Sequence, residues 1–468
     1  MNYLKFLFYI FLSSFVLIGL PSYAQDSAIE TKIKELENQI QDLKIQMKIL
    51  NKKNNTSVEN ELKFKIGPGF SVKHGENSFK IHGRMHYDWG FLPDIDGDDE
   101  LGSGTNIRRA RIGLQGTANK FFYTATFDMG ASAKADESDD VANIDEMFFG
   151  WKANKTTDLA VGKLKIPMFF EEATSSNDLS FLERSLAVDA FSDTFLGPKR
   201  HAVRYQHYDK KIGYKIAAAY AFDGDKKDKN VDQSRTISAR AAYAPILSKT
   251  EALHLGAWTS YHDFGANQNG ATQGCEWEYR FEINISDDKP LDSGNVTACD
   301  NVRTSGLELA YLGIDGQFWG MSEYVFGKME RTEDTSSNTA YNDYDANGYY
   351  WAVGYVLNGK KRYSIKKASF QAPKVETKWP EKGNGVWEVA FRQTRVSLND
   401  EEADINGGMV QNRTLALNWY VNGNATIKLN YINSKLDDAA VTNAGATEDG
   451  GKNGDTINII GGRFQYKW

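Results

Sequence analysis

The sequence predicts an all-β protein: a 16-stranded antiparallel transmembrane β-barrel with an N-terminal coiled-coil helix. The first observation is that segments about ten residues long alternate apolar and polar side chains, as strands do when their two faces meet different surroundings. The second is a composition of 41 Gly, 23 Tyr, 26 Phe and 10 Trp but 9 Pro, which suits aromatic girdles and many turns. The third is a mean hydropathy of -0.52, which excludes a bundle of apolar transmembrane helices.

Residues 1–24 have the features of a secretory signal peptide. Lys5 supplies the basic start, an apolar run extends from Phe6 to Leu20, and Ser22-Tyr23-Ala24 provides a small-residue cleavage site. The mature chain is therefore expected to begin at Gln25. The formal net charge of -7 argues against nucleic acid as a partner.

A heptad pattern follows the cleavage site and predicts a coiled coil over residues 25–54. An amphipathic helix packed against its own protein is the alternative, and the pattern does not settle the number of chains in the coil. Residues 55–77 are predicted to be a polar linker, and the barrel domain is expected to span residues 78–468. The apolar heptad positions are Ile29, Ile33, Leu36, Ile40, Leu43, Met47 and Leu50.

Sixteen strands can be counted from Phe79 to Trp468, an even number that leaves both chain ends on one side of the barrel. The first, SFKIHGRMHYDWGF at residues 78–91, places apolar and aromatic residues on one face and charged residues on the other. Connections alternate between short and long, except that residues 358–384 must form an unusually long turn at the short-turn end. If that segment hides two strands, the count becomes eighteen.

The last strand repeats the pattern of the first and ends on an aromatic residue, Trp468. Unpaired backbone groups cannot be left in hydrocarbon, so the sheet is expected to close into a barrel. The aromatic faces then meet lipid and the charged faces meet water. Sixteen strands leave an aqueous channel, whereas eight would be filled by side chains.

Closure brings basic residues of the first, second and last strands together along one wall of the channel. By strict alternation Arg108 faces outward, but a β-bulge near the start of its strand would turn it inward. A row of cations in water offers an anion a series of weak sites. The alternative is a balanced polar lumen, since Asp88, Asp128, Glu308, Glu323 and Glu388 also face inward. The predicted anion pathway comprises Lys80, Arg84, Arg108, Arg109, Arg111, Lys428 and Arg463.

The segment from Pro167 to Lys199 is too long and too patterned for an ordinary loop. Leu179, Leu182 and Leu186, at spacings of three and four, predict a short helix that folds back into the channel as a constriction. A solvated external loop is the alternative. The predicted edge of the constriction comprises Glu183, Arg184, Lys199 and Arg200.

Cys275 and Cys299 are the only cysteines, and in an exported protein they are expected to close an external loop by a disulfide worth roughly 3 kcal/mol. The seven histidines are not set in HExxH, GxSxG or metal-ligand spacings. We therefore expect no enzymatic activity, no bound metal and no cofactor.

Five segments carry a resemblance to a known family, and the similarity extends over most of residues 79–468. They are NIRRARIGLQGT at 106–117, GKLKIPMFFEEATSSNDLSFLERS at 162–185, YVLNGKKRY at 355–363, GVWEVAFRQTRVSLND at 385–400 and TLALNWYVNGNATIKLNY at 414–431. The chain resembles the phosphate-selective porin O and P family of Gram-negative outer membranes. The resemblance implies a trimeric barrel, an inward third loop and an arginine ladder leading phosphate or polyphosphate to a lysine-bearing eyelet.

The resemblance matches Arg84, Arg108 and Arg109 to ladder positions. Arg235 and Arg240 are five residues apart and face opposite ways, so the later ladder is thin, and loops such as DIDGDDE at 94–100 are acidic. The expected function is passive diffusion of small anions, with phosphate or polyphosphate as the expected solutes, across the outer membrane. The expected partners are membrane lipid, lipopolysaccharide and two further copies of the chain, with the coiled coil in the periplasm. A general porin of weak ion preference and a structural tether are the alternatives.

Overall fold

The computed structural model describes residues 32, 34–44, 62–67, 69–93, 101–130, 143–192, 197–222, 234–264, 275–286, 288–332, 340–376, 378–381, 383–438, 441–442, 445–446 and 454–468. The chain divides into two compact units, Met1–Glu61 and Leu62–Trp468. In the first unit, residues 34–44 form a helix whose apolar side chains Leu36, Ile40 and Leu43 are half exposed. The predicted signal peptide and the other heptad positions lie outside the described residues.

The second unit is a closed antiparallel barrel of sixteen strands, as the sequence predicts. Each strand pairs with the next, and the last pairs with the first, where Arg463 lies opposite Asp88. The barrel strands are β1 Asn77–Pro93, β2 Leu101–Ala118, β3 Phe121–Asp128, β4 Asn143–Lys152, β5 Thr157–Lys165, β6 Lys199–Asp209, β7 Tyr214–Phe222, β8 Arg235–Leu247, β9 Ala252–Asp263, β10 Cys299–Gly313, β11 Phe318–Arg331, β12 Tyr344–Val356, β13 Val386–Asp400, β14 Ile405–Tyr420, β15 Ala425–Asp438 and β16 Thr456–Lys467.

The two faces of the strands differ as alternation requires. In β8, exposed and buried residues alternate over the first ten positions, with Ile237 and Tyr243 outward and Thr236 and Arg240 inward. Apolar side chains thus cover the outer surface, where lipid would be, and polar ones face the lumen. No helix among the described residues has the length and apolar character needed to cross a membrane.

The count is sixteen rather than eighteen, because the long turn between β12 and β13 adds no barrel strand. Within this turn, Arg362–Ser364 and Ser369–Gln371 pair only with each other. We call residues 357–385 the long turn.

The segment expected to be a linker holds a β-hairpin instead. Its strands, Lys63–Ile66 and Phe70–His74, pair with each other, and the second also pairs with the start of β1. The C-terminal residue Trp468 exchanges backbone hydrogen bonds with Gly83 in the middle of β1. The first residues of β1 therefore extend beyond the end of β16, and the hairpin satisfies backbone groups that would otherwise form a free edge.

The described parts of three segments place side chains inside the barrel: the third loop (residues 166–198), the fifth loop (residues 264–298) and the long turn. The third loop contains two short helices, α1 Phe170–Ala173 and α2 Leu186–Ser192. Large buried side chains from all three segments join those of the wall in one core, which includes Phe169, Phe181, Trp277, Phe281, Trp319 and Phe370. The barrel is therefore partly filled with packed protein.

The helix predicted through Leu179, Leu182 and Leu186 is wrong in position, although all three leucines are buried. Helix α2 begins at Leu186, and residues 174–185 have no regular structure. In the preceding segment, wall side chains bind the backbone carbonyls, since Asn418 donates to Ser180 O (2.8 Å) and Lys428 to Leu179 O (2.7 Å). These donors replace the hydrogen bonds that a helix would make within itself.

The expected disulfide between Cys275 and Cys299 is present, with a Cα–Cα distance of 6.0 Å. It ties the fifth loop to the start of β10.

Candidate functional site: a basic cavity in the lumen

A cavity of about 770 Å³ lies between the third loop, the long turn and the wall formed by β1–β8. Thirteen lysines and arginines line it, against five aspartates and glutamates. The cations are Arg84, Arg108, Arg109, Arg111, Lys163, Lys165, Arg184, Lys199, Arg204, Lys215, Arg240, Lys366 and Lys367. The site is therefore strongly basic, which suits the passage of small anions.

Arg108 enters the lumen because β2 contains the bulge that the sequence analysis considered. The pairing register between β1 and β2 shifts between His86 and Tyr87, which leaves Arg108 as an extra residue. Its guanidinium forms a bidentate ion pair with Glu183 of the third loop, with Nε–Oε1 at 3.0 Å and Nη2–Oε2 at 2.9 Å. Arg108 thus lines the cavity and also holds the loop.

Arg84 and Arg109 line the cavity without a carboxylate partner among the described residues. Arg84 donates to the hydroxyl of Ser176 in the third loop (2.8 Å). Arg109 is 7% exposed, and its Nε has no hydrogen-bond partner within the described part of the chain. An unneutralised guanidinium at the wall of a water-filled cavity attracts anions strongly, because hydrogen bonds to charged groups are short and directional.

Arg111 and Lys199 also line the cavity, but carboxylates partly neutralise both. Arg111 contacts Asp128 (Nε–Oδ2, 2.6 Å) and Asp145 (Nη1–Oδ2, 2.8 Å), and Asp145 also pairs with Lys199. Asp145 reaches them because the register between β3 and β4 shifts at this residue. Arg184, predicted at the constriction, pairs with Glu172 (2.9 Å) inside the third loop.

Two cations assigned to the anion pathway, Arg463 and Lys428, hold the third loop instead. Arg463 is fully buried between Asp88 (both contacts 2.6 Å) and Glu183. The ammonium of Lys428 donates to Leu179 O. Neither residue lines the cavity, because the third loop lies over β15 and β16 and covers both side chains.

Lys80 and Arg200 also lie outside the cavity lining. Lys80 is exposed at the end of β1 that pairs with the hairpin strand Phe70–His74. Arg200 is buried and donates to Gly197 O (3.1 Å) and to the hydroxyl of Thr236. The structure therefore places neither residue at this cavity.

The five inward carboxylates that supported a balanced lumen are all present in the lumen, but each has a dedicated partner. Asp88 contacts Arg463, Asp128 contacts Arg111, Glu308 contacts Arg240 and His254, Glu323 accepts from the backbone N–H groups of Phe170 and Glu171, and Glu388 contacts Lys361. Four of the five lie outside the cavity lining. Glu323 and Glu388 bind the inserted segments directly, whereas Asp88 and Glu308 act through Arg463 and Arg240. The acidic side chains therefore leave the cavity basic.

A buried carboxylate also fixes the fifth loop inside the barrel. Glu282 is fully buried and accepts hydrogen bonds from Leu186 N (2.8 Å), Thr394 Oγ1 (2.9 Å) and Thr414 Oγ1 (3.1 Å). Arg392 neutralises it at 2.8 Å. One carboxylate thus joins the third loop, the fifth loop and two wall strands.

Two cavity residues that the sequence analysis did not select, Arg204 and Lys215, face inward by simple alternation. Arg204 donates to Lys165 O (3.2 Å), and Lys215 to Lys367 O (3.5 Å). Neither has a carboxylate partner in the described ranges. Alternation along β6 and β7, read from the outward tyrosines Tyr205 and Tyr220, is the signal that identifies them.

Alternation along the strand does not identify Lys163 and Lys165 as lumen residues. Strict alternation groups them with the outward residues Leu159 and Val161 of the same strand. Leu164, which lies between the two lysines, is fully buried, so the alternation continues to the end of the strand. Both lysines nevertheless line the cavity.

Outside the spanning strands, Glu276, Glu278 and Asp292 of the fifth loop form an acidic cluster. Burial raises the pKa of Glu276 to about 7, with further contributions from Glu278 and Asp292. Lys289 pairs with Glu278.

The sequence of this chain matches one family model and is similar to two proteins of known sequence. The family model described as phosphate-selective porin O and P matches residues 79–468. Porin O of Pseudomonas aeruginosa is 25% identical over 410 residues, which cover 83% of this chain and 90% of that protein. An uncharacterised protein of Caulobacter vibrioides is 25% identical over 422 residues, 87% of this chain and 77% of that protein.

Solved porins share the fold. An anion-selective porin from Comamonas acidovorans superposes with a TM-score of 0.53 at 14% identity, covering 84% of this chain and all of that one. OmpF of Salmonella typhi, solved with daunomycin, superposes with a TM-score of 0.51 at 12% identity over 87% of this chain and all of that one. The chain therefore belongs to the phosphate-selective porin O and P family: it is a β-barrel porin of the outer membrane, a channel and not an enzyme.

Proposed function

We propose that this porin conducts small anions passively, with inorganic phosphate or short polyphosphates as preferred solutes. The observation that carries the proposal is the cavity lining, where thirteen cations face five carboxylates. The name of one similar solved structure, an anion-selective porin, and the description of the matching family, phosphate-selective porin O and P, support it.

The anion would meet its first sites beside the third loop, where Arg84 and Arg109 lack carboxylate partners in the described residues and Ser176 adds a hydroxyl. Arg204 and Lys215 would then bind it further along the wall. Because each site replaces only part of the hydration shell, the ion enters and leaves readily. Arg108, Arg111, Arg184, Lys163, Lys165 and Lys199 would add to the positive potential, which attracts anions over a Debye length of about 8 Å at physiological salt.

We further propose a homotrimer embedded in outer-membrane lipid and lipopolysaccharide, made after removal of residues 1–24. The coiled coil of residues 25–54 would lie in the periplasm. The half-exposed apolar residues of the helix at 34–44 support pairing with other copies of the chain.

Planar-bilayer recording tests the proposed conduction. In asymmetric KCl we expect a reversal potential of the sign set by chloride, and in symmetric KCl we expect added phosphate to reduce the chloride current with saturation. A reversal potential set by potassium would overturn the proposal.

A general porin of weak ion preference is the second candidate, favoured by acidic loops such as residues 94–100. It predicts equal chloride and potassium permeabilities and no saturable effect of phosphate.

A further inference from the structure

An aromatic side chain faces the basic cavity. Phe148 of β4 lines the cavity, and its side chain is only partly buried. Phe122 of β3 packs its ring edge against Phe148, with centroids 6.3 Å apart and an interplanar angle of 80°. The pair holds the ring of Phe148 in one orientation, since such edge-to-face contacts are favourable.

A cation without a carboxylate partner in the described residues lies over the same ring. The guanidinium carbon of Arg204 is 5.7 Å from the centroid of Phe148. Arg204 can reach it because the intervening lumen surface is made of small residues. Phe148 lies opposite Gly162, and Arg204 lies opposite Ala160.

Phe122 has a packing role at the wall. A Cβ placed on Gly150 would come within 2.3 Å of Phe122 Cζ, so the ring of Phe122 lies directly over that glycine. At Gly162, the three atoms nearest to such a Cβ are the carbonyl oxygen of Met147 and the Cα and Cβ of Phe148. Phe148 lines the cavity, although an aromatic face gives nothing to an inorganic ion.

We propose that Phe148 and Arg204 form an amphipathic subsite for organic anions, in particular phosphate monoesters that carry an aromatic group. The phosphate would bind the guanidinium of Arg204 and neighbouring lysines such as Lys215, while the aromatic group packs on Phe148. This proposal rests on the proposed anion channel and names a class of solute for it. The cavity volume of about 770 Å³ accommodates a ligand of this size.

The test compares phenyl phosphate with methyl phosphate as blockers of chloride current through the reconstituted channel. The two ions have the same charge and differ in the aromatic ring. We expect phenyl phosphate to block at a concentration roughly two- to tenfold lower, the factor that one favourable ring–ring contact supplies. Equal blocking by the two esters in the wild-type channel would overturn the proposal without any variant.

The variants Phe148→Leu and Phe149→Leu sharpen the test. Phe149 is the adjacent residue, 64% exposed on the outer face of the barrel, and its replacement should change neither ester's blocking. Phe148→Leu should abolish the preference for phenyl phosphate while methyl phosphate blocks as before. If Phe148→Leu weakens both esters equally, Phe148 only positions Arg204 and the subsite proposal is wrong.

The two proposals fail in different ways. A channel that is not anion-selective and that neither ester blocks would refute the proposed function itself. A channel that is anion-selective and blocked equally by both esters would refute only the aromatic subsite.

Discussion

The lumen cations of this barrel fall into two groups that differ in their partners. Arg463 and Lys428 are buried and bind carboxylates or backbone carbonyls. These contacts hold the third loop against the wall and neutralise or cover both charges. Arg84, Arg109 and Arg204 lie at the cavity and have no carboxylate partner in the described ranges. Residue type and alternation place both groups on the lumen face, but only the path of the inserted loop separates them.

The cavity cations without carboxylate partners, Arg84, Arg109 and Arg204, should determine the preference of the channel for anions over cations. We expect Arg84→Ala combined with Arg109→Ala to lower the chloride-to-potassium permeability ratio at least about fivefold, because one unit charge in contact with an ion in water contributes ~1 kcal/mol. Reversal potentials in asymmetric KCl measure the ratio. Thermal stability should change little, since no described carboxylate loses a partner.

Arg235→Ala is the matched control. Arg235 is an exposed arginine at the start of β8 that pairs with Asp263. Its loss should leave the permeability ratio unchanged. An unchanged ratio in the Arg84/Arg109 double variant would mean that these two residues do not lie on the ion path.

At the scale of elements, the strands follow from sequence because lipid outside and water inside force period-two alternation. The exceptions are local backbone events. The extra residues at Arg108 and Asp145 each bring a charged side chain to the cavity. Neither event leaves a mark in the hydrophobic pattern, so alternation alone assigns those side chains to the wrong face.

The inserted loops are harder to predict because their partners are distant in sequence. The carbonyls of Leu179 and Ser180 are satisfied by Lys428 and Asn418, more than two hundred positions away. The local leucine spacing therefore predicts a helix at residues 179–186. The helix does not form there because side chains distant in sequence bind these carbonyls. The long turn was identified by its length, but its place inside the barrel depends on contacts such as Lys361 with Glu388 (2.9 Å).

The third loop should loosen when its main anchor is removed. Arg463→Ala leaves Asp88 and Glu183 buried with one cation fewer, which costs about 3–5 kcal/mol for a buried ion pair. We expect a lower temperature of barrel unfolding and a larger, noisier single-channel conductance. Heated gel migration and bilayer recording measure the two effects.

Arg413→Ala provides the comparison, because Arg413 is an exposed residue of β14. It should behave as wild type in both assays. If Arg463→Ala leaves conductance and unfolding temperature at wild-type values, the third loop does not depend on this cluster.

The fifth loop should respond to pH through Glu276. Its folded pKa, about 7, lies above the ordinary value of 4.5, so protonation stabilises the folded loop, and this contribution is lost as the pH rises through 7. Hydrogen exchange across residues 275–299, corrected for the intrinsic rate, should be slower at pH 6 than at pH 8. Glu276→Gln should remove the difference, and a difference that persists would assign it to another group.

For the molecule as a whole, the inserted segments and the basic cavity occupy different parts of the lumen. Glu323 and Glu388, on β11 and β13, bind the inserted segments directly, and Glu308 on β10 holds Arg240, which donates to Ala368 O of the long turn. The basic cavity remains against β1–β8. A chain with a net charge of -7 encloses a strongly basic cavity because few of its acidic residues line it.

The N-terminal segment should be separable from conduction. Deleting residues 26–54 should leave single-channel conductance and ion selectivity unchanged, because the barrel unit Leu62–Trp468 contains every residue that lines the cavity. Chemical cross-linking of the deleted and full-length proteins should show whether the heptads contribute to the proposed trimer. A second deletion, of residues 26–75, also removes the hairpin that pairs with the start of β1. It should lower the unfolding temperature, because it exposes the backbone groups of that edge. Loss of channels from the shorter deletion alone would show that the heptad segment is needed to assemble the pore.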